Sequence, residues 1–117
     1  MPYDQTIATR VERYLDGKHQ RFESKSMMGG LVFMVNGKMC IGVEKNRIML
    51  RIDPSEQAAA LARKGCSPMD FTGRPMRGFV FVAATTLRTD AQLEAWLSSA
   101  LAFNPKAVAS KGRTRSK

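Results

Sequence analysis

The spacing of hydrophobic positions changes repeatedly along the chain, and each change predicts an element. From Asp4 to Leu15, Ile7, Val11, Tyr14 and Leu15 fall on one side at helical spacing, with Asp4 placed to cap the first amides. Gly17 predicts the helix end, and Arg10 and Arg13 lie off the apolar face, in solvent. From Arg21 to Ile52 the period becomes two. Phe22, Ser24 and Ser26 alternate with Glu23, Lys25 and Met27, a half-polar pattern suited to an edge strand. Gly29-Gly30 permits a sharp turn or bulge. Leu31 to Val35 is apolar on both faces, which predicts a strand that is central, or covered by helices on one side and by something else on the other. Asn36-Gly37 is a type I′ hairpin signal. The returning strand, Lys38 to Val43, predicts Met39, Ile41 and Val43 on one face. After a turn at Glu44 to Asn46, Ile48, Leu50 and Ile52 point inward and Arg47, Met49 and Arg51 outward.

Asp53-Pro54 predicts a second helix with a cap and a proline in its first turn, ending at Gly65. Ala58, Ala59 and Ala62, with Leu61, predict close packing on the sheet. A strand follows around Gly78 to Val82. Thr89 or Asp90 then caps a helix whose Leu93, Trp96, Leu97, Ala100 and Leu101 share one stripe, broken at Asn104-Pro105. The predicted order is one helix, three or four strands, a helix, one or two strands, and a helix. This is an α+β domain of two layers, with helices on one face of an antiparallel sheet.

The stretch PMDFTGRPMRGFVFV, Pro68 to Val82, admits two readings. Gly73 suits a turn, Asp70 can accept amides across it, and Pro75 removes a donor, placing it at an edge or in a loop. Arg74 and Arg77 are three apart, so on extended chain they point to opposite faces. A shared anion clamp would need a bulge, for which Gly78 is the candidate. GRPMRG is not a phosphate-cradling loop, which needs a Gly-Lys-Ser/Thr ending into a helix. A turn leading into a strand, with solvated arginines, is the favoured reading.

The 117 residues, 44% hydrophobic and 25% charged, are ordinary for one globular domain. No stretch reaches bilayer-spanning length and MPYDQTIATR has no signal pattern, which points to the cytoplasm. The net charge is +9, and Lys106, Lys111, Arg113, Arg115 and Lys117 supply five of those charges after Pro105, leaving +4 on residues 1–104. Residues 105–117 read as a basic, disordered tail and residues 1–104 as the domain. Lys45, Arg47, Arg51, Arg74 and Arg77, with the five tail cations, are the candidate contacts for an anion or nucleic acid. Catalytic chemistry finds no set of residues. Cys40 sits in an apolar run and Cys66 in a turn-rich, exposed segment, and the single histidine, His19, is solvated beside Lys18 and Arg21. Asp70 has no matching carboxylate. Two cysteines and one histidine fit no zinc pattern, and no cofactor or small-molecule substrate suggests itself. Most of the eight methionines and Trp96 read as core, with Met49 and the pair Met27-Met28 as the exposed exceptions.

Four segments, SKSMMGGLVFMVNGKMCIGV (Ser24–Val43), MLRIDP (Met49–Pro54), PMDFTGRPMRGFVFV and LEAWLSSALAF (Leu93–Phe103), resemble the N-terminal domain of the TfoX/Sxy competence regulators. They occur in family order across nearly all of residues 3–104, with Met28 where many relatives have an aromatic residue. The resemblance implies a two-layer domain similar to the secretion-chaperone-like fold, and a link to positive control of DNA-uptake genes. It carries over no catalytic residue. The longer family members have a second helical domain, which nothing after Phe103 here could form. The expectation is a non-enzymatic regulatory or adaptor domain with a protein partner or a homodimer. A basic nucleic-acid-binding accessory protein is the alternative.

Overall fold

A computed structural model describes residues 3–27, 29–70 and 75–107. Helix α1 (Gln5–Gly17) buries Ile7, Ala8, Val11 and Leu15, and the Asp4 side chain accepts from the Ile7 N–H at 3.1 Å. It ends at Gly17, as the sequence predicts; the Lys18 N–H caps it by reaching back to Tyr14 and Leu15, and the left-handed residue is His19, at φ 55°. Arg10 differs from expectation. It is half-buried, donates to the Leu87 carbonyl at 2.8 Å and lies 3.4 Å from Asp90, tying α1 to the start of the last helix.

Four strands follow: β1 (Glu23–Met27), β2 (Gly30–Val35), β3 (Lys38–Val43) and β4 (Arg47–Arg51). After a helical segment come β5 (Cys66–Asp70), β6 (Pro75–Ala83) and α3 (Asp90–Phe103). The six strands form one antiparallel sheet in the order β1-β2-β3-β4-β6-β5, so β1 and β5 are its edges. β5 lies where a turn-rich segment was expected. Asn36 and Gly37 have φ of 56° and 75°, as a type I′ turn requires. Gly30 is enforced by packing, since a Cβ there would sit against the Val43 carbonyl oxygen.

The sheet has two unlike faces. Residues from all three helices join Phe33, Val35, Ile41, Val43, Ile48, Leu50, Val80 and Val82 in the main core. The opposite face carries a second, helix-free cluster of Met49, Met69 and Phe81, with Met39 and Phe79 against it. β2 is thus covered on both sides, but Met39 does not share a face with Ile41 and Val43. The β2–β3 register steps between Phe33, opposite Ile41, and Met34, opposite Met39. Cys40 is the extra residue of a β-bulge, and one extra residue inverts every side chain beyond it. Met49, expected to be exposed, is only 3% exposed. Gly42 leaves the room it occupies, because a Cβ there would lie 3.2 Å from its Cε.

The second helix is shorter than the sequence predicts. Asp53 accepts from the Ser55 N–H, a 3-10 turn spans Pro54–Glu56, and α2 covers only Gln57–Leu61. Three residues at 3.0 rather than 3.6 per turn rotate the later side chains by about 60°. Ala60 is therefore the buried alanine, while Ala58, Ala59 and Ala62 are exposed. In α3, Thr89 and Gln92 form a capping box. Beyond it the turn Asn104–Lys106 and the buried Ala107 extend the folded chain past the boundary expected at 104. Residues 108–117 lie outside the described residues.

Candidate functional site

The cations singled out from the sequence that fall among the described residues do not all converge. Arg47 begins β4 with its guanidinium 3.6 Å above the Phe81 ring, and its Nε donates to Glu44 at 2.7 Å. Arg51 ends the same strand, 5.4 Å from the Phe79 ring centre. Both lie on the helix-free face, about 13 Å apart by strand rise. Burial lowers the Arg51 pKa, while the Cys40 thiol acts in the opposite direction. Lys45 is exposed in the β3–β4 turn, beside Arg47. Arg77 is exposed near the start of β6, next to Gly78, which has φ 84° and interrupts regular pairing there. Lys106 is exposed after α3, close enough to Asp53 to help lower that carboxyl's pKa, though the Ser55 hydrogen bonds are the larger cause. Arg74, Lys111, Arg113, Arg115 and Lys117 fall outside the described residues, so the clamp of Arg74 with Arg77 does too.

The chemistry of the cysteines is equally plain. Burial pushes the Cys40 thiol from its ordinary 9.0 up to about 12, with Arg51 pulling the other way. Burial also raises Cys66, and Arg63 opposes that rise. Both are thiols at neutral pH, the protonation state that is a poor nucleophile. Among the described residues, no three His, Cys, Asp or Glu side chains gather within metal-binding reach. The Cys40 shift also sets a pH dependence. The folded chain holds this proton until about 12 while the unfolded chain releases it near 9.0. Stability present below pH 9 is then lost on rising through that window, at about 1.4 kcal/mol per pH unit. Urea unfolding at pH 8 and pH 10 is expected to show this loss, and Cys40→Ala to reduce it.

The structure does expose backbone. Every residue of β1 from Glu23 to Ser26 is exposed, and Met27 is half-buried. Met27 pairs with Gly30 across a two-residue loop. Such hairpins close on a hydrogen-bonded pair, and bonded and non-bonded pairs alternate from there. Met27, Lys25 and Glu23 therefore bond to β2, while Ser24 and Ser26 direct their N–H and C=O groups outward. Phe22 anchors the start of the strand by packing edge-on against Phe33, with centroids 5.5 Å apart. Beside it lies an open cleft of about 840 Å³, bounded by Asp16, His19, Arg21, Glu23, Met34 and Asn36. Its walls mix both charges. At the opposite edge, Pro68 takes a backbone donor out of β5.

Residues 14–104 match the family model described as the TfoX N-terminal domain. The chain belongs to that family. No curated protein and no solved structure matches it. The matched span of this TfoX N-terminal domain starts within α1 and closes at Asn104, so it takes in all six strands, the exposed edge included. No helix among the described residues is long and apolar enough to cross a membrane. The sequence pattern signalled β1 as an edge. It gave no sign that the two outward arginines of β4 would lie over Phe81 and Phe79, because that contact joins residues about 30 positions apart.

Proposed function

We propose that this TfoX N-terminal domain is a non-enzymatic regulatory adaptor working in the cytoplasm through protein contacts, in the control of competence genes that its family suggests. The observation that carries the reading is β1. Its outward amides and carbonyls at Ser24 and Ser26 are unpaired within the sheet, and a strand added there satisfies them with regular ladder bonds. The raised thiols and the scattered polar side chains support a binding role over a catalytic one.

Nucleic-acid binding is a second reading, favoured by Arg47 and Arg51 sharing a face. Two features weaken it. Glu44 pairs with Arg47, and Lys106 lies toward the other end of the sheet from Lys45. Fluorescence anisotropy of a mixed-sequence DNA duplex, titrated with the full chain across salt, separates the two. The adaptor reading expects binding only at low salt, unchanged in an Arg47→Ala/Arg51→Ala variant. Tight binding at physiological salt, with a salt slope that falls by about two in that variant, would establish the nucleic-acid reading instead.

A further inference from the structure

We propose that β1 pairs with β1 of a second copy, antiparallel and centred on Ser24, joining two six-stranded sheets into one. The proposal rests on the adaptor reading's use of this edge and commits to its occupant. Hydrogen-bonding parity limits the choices. An outward-facing residue must meet another outward-facing residue, so a two-fold axis can pass only through a residue position and not between two. Four centres use the exposed residues, and centring on Glu23 sets the two glutamates directly opposite each other, a destabilising like-charge pair. Centring on Lys25 sets the two lysines directly opposite each other, a destabilising like-charge pair. Centring on Ser26 sets each Lys25 against Met27. Only the Ser24 centre places Glu23 opposite Lys25 of the second copy, and does so twice, while the two Ser24 residues exchange both backbone bonds.

Neighbouring features permit this. Ser24 and Ser26 lie on the helix-layer side and are exposed, so no helix covers that side of β1. The alternative, β1 against β5 of another copy, would be head-to-tail and open-ended, and meets the donor lost at Pro68. A ladder of five residues is small for an interface, so the dimer is weak and reversible, on the order of micromolar. Its two ion pairs are solvent-exposed, so salt weakens it.

Sedimentation velocity of the full chain over a concentration series tests the register through charge. The wild type is expected to dimerise, Lys25→Glu to weaken dimerisation by roughly tenfold, and the swap Glu23→Lys/Lys25→Glu to restore it. Ser24→Pro, which deletes the central outward donor, is expected to leave monomer. Circular dichroism melting confirms that each variant is folded. A dimer indifferent to both Lys25→Glu and Ser24→Pro overturns the proposal. So does wild-type monomer up to roughly a millimolar, well above the expected dissociation constant. If a photo-crosslinker at position 25 then still captures a different polypeptide in cells, and Ser24→Pro abolishes that capture, self-pairing falls and the adaptor reading stands. Monomer with no capture overturns both.

Discussion

Phe33→Ala is expected to lower the unfolding free energy by about 3–5 kcal/mol, a large share of the about 5–15 kcal/mol that holds a domain of this kind together. Phe33 is fully buried, packs edge-on against Phe22, and faces Ile41 at the step in the β2–β3 register. Truncation empties a site in the main core and removes the ring against which Phe22 packs at the start of β1. Guanidinium titration measures the loss, and Phe33→Leu is expected to recover more than half of it. Amide exchange adds a local readout, because the Phe33→Ala variant should open β1 well before the central strands. A loss below about 1 kcal/mol would contradict the placement of β2 in the main core.

Asn104→Ala is expected to cost about 1–3 kcal/mol through the loss of two side-chain hydrogen bonds, one of them buried. Asn104 is buried at 3% exposure, yet it joins two distant parts of the chain. Its Oδ1 accepts from the Asn36 side chain at 2.7 Å and its Nδ2 donates to the Val35 carbonyl at 3.0 Å. Lys38 donates to the Asn104 and Ala107 carbonyls at 2.9 and 3.0 Å. The end of α3 is thereby fastened to the β2–β3 turn. Removing Asn104 takes a buried side-chain donor from the Val35 carbonyl, whereas Asn36→Ala exposes only a turn and should cost about 1 kcal/mol. A double-mutant cycle between positions 36 and 104 should give a coupling of at least about 0.5 kcal/mol. Strictly additive losses would mean that the two side chains do not bond.

The reading from sequence succeeded where one local rule decided the outcome. The Asn36-Gly37 turn, the inward and outward sides of β4, the Thr89 cap and the polar edge at β1 each follow from adjacent residues. It failed where a second rule intervened. A bulge at Cys40 moved Met39 to the other face, and period two cannot register an inserted residue. A 3-10 start rotated α2 and buried Ala60 in place of its neighbours. β5 was hidden by Pro68, which disfavours a central strand but is compatible with an edge. Asn104 read only as a helix breaker, since its partners lie 66 to 69 positions away. For the candidate site, the edge strand was legible and the arginine placement was not. Charge in a sequence says how many cations there are and leaves open which rings and carboxylates they meet.

Photo-crosslinking in cells tests the central claim most directly. A photoreactive residue at position 25, on the exposed edge, is compared with one at position 77, exposed near the start of β6. The adaptor account predicts a discrete protein adduct from position 25, be it a second copy or another polypeptide, that disappears when Ser24→Pro is added and is missing from position 77. No protein adduct from β1, together with nucleic-acid adducts from position 77, would contradict it.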